Sequence, residues 1–75
     1  MKSLQLAENN IVGSERMGNM INLDVIPGNT AFVKSQLMNT FSERIFNCLA
    51  DDNSILIILR NEEDAKEMFE QVKNW

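Results

Sequence analysis

Ser54-Ile55-Leu56-Ile57-Ile58-Leu59-Arg60 is the stretch on which the fold turns. Its five consecutive aliphatics are too short a run for an ordinary helix and show no polar face. They read as a strand with apolar side chains on both sides, which is how a central or doubly covered strand looks. Downstream, Asn61 is a helix cap, with Glu62, Glu63 and Asp64 in the first turn where the helix dipole favours anions. Ala65, Met68, Phe69, Val72 and Trp75 then fall on one helical stripe, and Glu62 and Lys66 form an i,i+4 pair of favourable polarity.

Upstream, Asp51-Asp52-Asn53 signals a turn. Before it, Val33, Leu37, Phe41, Ile45 and Cys48-Leu49 recur at spacings of three and four, predicting one amphipathic helix capped by Asn29 or Thr30. Phe32, Met38 and Phe46 broaden its apolar stripe. Pro27-Gly28-Asn29 separates this helix from a predicted three-strand meander, Ser3–Ala7, Ile11–Met17 and Met20–Ile26.

Register within the meander follows from its loops. A two-residue loop at Gly18-Asn19 pairs Met17 with Met20 and puts Val12, Ser14 and Arg16 on the face of Ile21, Leu23 and Val25. A three-residue loop, Glu8-Asn9-Asn10, brings Leu4 and Leu6 to that same face, whereas a two-residue loop would turn them away. The middle strand is the weakest of the three, because Gly13, Ser14, Glu15 and Arg16 are poor strand formers, and a loop is the alternative there. The expected fold is α+β, a small two-layer sandwich in the order β-β-β-α-β-α, with a mainly antiparallel sheet and two helices on one face. Residues 1–75 are expected to form a single domain.

The sequence restricts function more than it specifies it. Seventy-five residues of which 44% are hydrophobic should fold, but a chain this small buries only about 60% of its unfolded surface. Cys48 is the only cysteine and histidine is absent, so neither an internal disulfide nor a structural zinc site can supplement the core. Oligomerisation or docking on a partner is the remaining route. Without histidine or tyrosine, general-base and nucleophile pairings are scarce, and no enzyme is expected. No cofactor or metal is expected either; the acids lack EF-hand spacing, and Gly13 and Gly18 form no phosphate-binding pattern.

Seven Lys and Arg against eleven Asp and Glu give a net charge of −4, which argues against direct nucleic-acid binding. No apolar run reaches the length of a signal-peptide core or a membrane span, and a cytoplasmic location with no membrane contact is expected.

Seven of the eleven acids lie between residues 51 and 75. First-turn acids are ordinary helix electrostatics, and turn acids are ordinarily solvated. The functional reading is a protein-binding module, an acidic regulator or inhibitor that covers a basic, nucleic-acid-binding surface of a larger protein, of a kind phages and mobile elements encode. In that reading Asp51, Asp52, Glu62, Glu63, Glu67 and Glu70 steer the encounter, and Met17, Met20 and Trp75 are apolar anchors. The alternative is a homo-oligomeric structural or accessory subunit, in the simplest case a homodimer, assembled through the sheet face that two helices cannot cover.

Overall fold

Ser54–Leu59 forms an interior strand, hydrogen-bonded on both sides. In the computed structural model, which describes residues 10–73, it is β4 of a chain ordered β1 (Ile11–Met17), β2 (Met20–Val25), α1 (Thr30–Phe41), β3 (Ile45–Ala50), β4 and α2 (Glu62–Val72). The sheet order is β1-β2-β4-β3, with every neighbouring pair antiparallel. β2 and β3 therefore run the same way with β4 inserted between them.

Both helices lie on one face. Ile21, Leu23 and Val25 of β2, Ile55, Ile57 and Leu59 of β4, and Ile45 and Cys48 of β3 are buried there against Val33, Leu37 and Phe41 of α1 and Ala65, Met68 and Val72 of α2. The expected α+β two-layer sandwich is what forms. Asn61 caps α2 as its sequence predicts, its Oδ1 accepting the Asp64 N–H at 2.8 Å. Asn29 precedes α1 without a side-chain cap bond and instead donates to Asn10 Oδ1 at 2.7 Å.

The element order differs from the expected β-β-β-α-β-α. The predicted first strand, Ser3–Ala7, lies outside the described residues. The predicted long helix ends at Phe41, where the Arg44 N–H closes a turn on the Phe41 carbonyl at 2.9 Å, and Ile45–Ala50 is a strand. A β-bulge produced the misleading spacing. Ile45 lies opposite Leu59 and Cys48 opposite Ile57, with the register shifting between Ile45 and Asn47. The extra residue turns two inward side chains three positions apart into the i,i+3 pattern of a helix. Pairing with β3 also satisfies the second edge of β4, whose backbone groups would otherwise be buried without partners.

A second bulge corrects the register of β1, which is a strand and not a loop. Met17 pairs with Met20, Arg16 with Ile21 and Ser14 with Leu23, as the Gly18-Asn19 loop requires. Gly18 sits at φ 61, a conformation that favours glycine. Between Ile11 and Gly13 the register shifts: Ile11 lies opposite Val25 and packs against the core, while Val12, expected inside, is 67% exposed.

Candidate functional site

Strand pairing lays the side chains of the other sheet face in rows, and no described helix covers them. One row runs Glu15, Asn22, Leu56, Leu49 across the four strands, and the next runs Met17, Met20, Ile58, Asn47. A third begins Gly13, Asp24, Ser54 and reaches Asp51, whose N–H donates to the Ser54 carbonyl at 2.8 Å. The bulges add one apolar residue at each edge, because alternation resumes one step out of phase. Val12 on β1 and Phe46 on β3 are both about two-thirds exposed. The Arg60 guanidinium carbon stands 6.0 Å from the Phe46 ring centroid, within cation–π range.

Two depressions lined by described residues lie on this face. One, of about 130 Å3, is lined by Glu15, Met17, Met20, Asn22 and Leu56. The other, of about 230 Å3, is lined by Leu49, Ala50, Asp51, Ser54 and Leu56. Leu56 belongs to both. A separate polar depression of about 420 Å3 lies at the C-terminal end of α1, between residues such as Thr40 and Glu43 and Gln71 of α2.

The acids fall into two groups at opposite ends of β4, roughly 20 Å apart for a six-residue strand. In and around α2, Glu62 stands 3.6 Å from Arg16, Glu67 2.8 Å from Arg44 and Glu70 3.2 Å from Lys73. These exposed pairs stabilise little, but they place cations beside three of the acids. Glu63 is exposed in the first turn of the helix. Asp51 and Asp52 are set apart on the β3–β4 hairpin, exposed and outside the three ion pairs found among the described residues.

The backbone under Asp51 and Asp52 is held firmly. The Asp52 carbonyl accepts the Gly28 N–H at 3.1 Å and the Asn53 carbonyl accepts the Val25 N–H at 2.8 Å. The hairpin tip is thereby tied to the loop entering α1, and the carboxylates project from a fixed frame. Met17 and Met20 are brought together across the β1–β2 hairpin, and Trp75 lies outside the described residues. Sequence reasoning missed Leu49 and Leu56 as the apolar neighbours of Asp51. The signal for Leu56 was present in the two-faced Ile55–Leu59 run, whereas Leu49 was assigned to a helix.

Metal chemistry has no obvious seat, since no group of three His, Cys, Asp or Glu among the described residues could hold an ion. Nor is any described helix long and apolar enough to cross a membrane. Cys48 is buried, and desolvation pushes its thiol up from the ordinary value, with Lys34 opposing weakly.

Comparison with known proteins adds one match. The family model described as "Arginine repressor, C-terminal domain" matches residues 7–74. No curated protein matches the chain. The family match overturns the reading of the chain as an inhibitor of phage or mobile-element type that masks a basic surface: the matched domain is part of a repressor. The net charge pointed to an acidic decoy only because the sequence offered no other use for its carboxylates.

Proposed function

The chain belongs to the arginine repressor C-terminal domain family, and from that premise we propose that it is a regulatory domain that binds arginine and assembles with copies of itself. The observation that carries the reading is Asp51 at the rim of a depression floored by Leu49 and Leu56, on a sheet face that no described helix covers. A guanidinium pairs with a carboxylate through two parallel hydrogen bonds, and the aliphatic stem of arginine suits a leucine floor. Asp52, next along the fixed hairpin, adds to the negative potential.

Assembly would use the same face. Met17, Met20, Leu56, Ile58 and Leu49 form an apolar centre on it, flanked by Val12 and Phe46. Covering such a patch contributes stabilisation that a core this small lacks. In this reading the domain is non-catalytic, works in the cytoplasm and does not itself contact nucleic acid, in keeping with its net charge of −4.

Titration calorimetry with arginine tests the ligand, with citrulline as the uncharged isostere. Heat with arginine, none with citrulline, and loss of binding in Asp51→Asn are the expected results. Equal binding of the two ligands, or an unaltered variant, would overturn the assignment. Sedimentation tests assembly: the protein should be larger than a monomer at micromolar concentration, and Leu49→Ser, at a half-exposed position, should shift it toward monomer.

A further inference from the structure

Asn29 and Asn61 precede the two described helices and are used differently. Asn61 is extended, at φ −156 and ψ 172, and its Oδ1 accepts the Asp64 N–H at 2.8 Å, as an N-cap should. Asn29 sits at φ −110 and ψ 8 and makes no side-chain cap bond, and α1 has no acid in its first turn to take the place of one. Its side chain goes elsewhere: Nδ2 donates to Asn10 Oδ1 at 2.7 Å, 19 residues back along the chain. The capping chemistry open to this position is given up for a long-range contact.

That contact closes one side of a clamp. Ile26-Pro27-Gly28-Asn29 is a β-turn, with the Asn29 N–H donating to the Ile26 carbonyl at 3.1 Å and Gly28 at φ 90 in the third position, as a type II turn requires. On one side the turn is bonded to Asn10, through the Asn29 amide and through the Ile26 N–H, which donates to the Asn10 carbonyl at 2.9 Å. On the other side it is bonded to the acidic hairpin. The Gly28 N–H donates to the Asp52 carbonyl at 3.1 Å, and just before the turn the Val25 N–H donates to the Asn53 carbonyl at 2.8 Å. The Gly28 N–H belongs to the middle peptide of the turn. In a type I turn that peptide is rotated by roughly half a turn, and the N–H no longer points at Asp52. The frame under the carboxylates therefore depends on the turn keeping its form.

We propose, resting on the reading that Asp51 and Asp52 hold a guanidinium, that Asn29 is a positioning residue for that site. By bonding Asn10 it anchors the end of the turn, and the anchored turn presents the Gly28 N–H that fixes the backbone of Asp52. Asn29 itself touches no ligand in this arrangement. A two-bond carboxylate–guanidinium pair tolerates little displacement of the carboxylate. Loosening the turn therefore lowers ligand affinity without removing any group that contacts the ligand.

Amide chemistry supplies the test. An amide can present either its oxygen or its NH2 to a partner, so Asn10→Asp and Asn29→Asp each leave one donor and one acceptor and keep the bond. The double variant opposes two carboxylates and breaks it. Hydrogen exchange at the Gly28 N–H reads the turn, and titration calorimetry with arginine reads the site. Each single variant should keep both Gly28 protection and arginine affinity to within about threefold. The double variant should lose Gly28 protection by about tenfold or more and bind arginine about threefold to tenfold more weakly, although its added negative charge favours a cation. Asn29→Ala removes the bond without adding charge and should reproduce both losses, which covers the case of a double variant that does not fold. Unchanged Gly28 protection in the double variant and Asn29→Ala, lost protection with unchanged affinity, or equal losses in the single Asp variants would overturn the proposal. An unsubstituted protein that takes up no arginine overturns the ligand reading instead, while Gly28 exchange still confirms or refutes the hold of Asn29 on the turn.

Discussion

Gly13 faces Asp24 across β1 and β2, and a Cβ built on Gly13 would stand 3.0 Å from Asp24 Oδ2. The carboxylate of Asp24 thus lies over the glycine on the open sheet face. Gly13 does not have positive φ, whereas Gly18, at φ 61, has nothing within 4 Å of its added Cβ. The two glycines differ in what they supply, one space and the other conformation. Gly13→Ala requires only the end of a flexible side chain to move, and it gains from a less flexible unfolded chain, so its net effect should stay within about 1 kcal/mol. Gly18→Ala forces a left-handed alanine into the hairpin and should cost about 1–2 kcal/mol. Urea denaturation of both variants measures the order, and a larger loss at Gly13 would contradict this account.

Adjacent residues on β4 should respond in opposite ways. Ile57 is fully buried beneath the helices, and Leu56 points to the open face. Ile57→Ala removes core volume and should cost about 2–5 kcal/mol, a large part of the roughly 4–11 kcal/mol expected for a chain of this length. Leu56→Ala should cost much less folding stability while weakening self-association several-fold. Thermal melts at low concentration, paired with sedimentation, separate the two effects. Equal destabilisation by both variants would mean that Leu56 belongs to the core of the single chain.

The same strand shows what could be read in advance. Ile55–Leu59 identified an interior strand because no other element accommodates five aliphatics between two asparagines. Asn61 and the acids after it located α2 because capping chemistry is local. The Met17–Met20 pairing followed from a glycine turn. β3 was illegible for a physical reason: a bulge at Phe46 gives a strand the inward spacing of a helix, and only the unpaired edge of β4, a tertiary fact, decides between them. The same device hid the exposure of Val12. Acids just past a helix C-terminus oppose its dipole, and in the sequence Asp51 and Asp52 directly follow the expected end of the long helix. The helix ends at Phe41, well before them, so that conflict is absent. What singles them out is the tethered hairpin and its leucine neighbours, which required the fold.

Cys48 supplies a prediction about pH. Its thiol is buried under α1, and desolvation raises its pKa despite the opposing charge of Lys34. The folded protein therefore keeps the proton at pH values where the unfolded chain has already lost it. With more protons bound in the native state, stability must fall as pH rises from the ordinary thiol value toward the raised one, and this contribution is fully present at neutral pH. The thiolate is also the reactive form, so modification by a disulfide reagent should be slow in the native protein and should accelerate in urea. Cys48→Ala should flatten the alkaline decline in stability. Rapid native-state labelling at pH 8 would show instead that β3 opens readily, which an edge strand closed on one side only by α1 would do if the helix were loosely held.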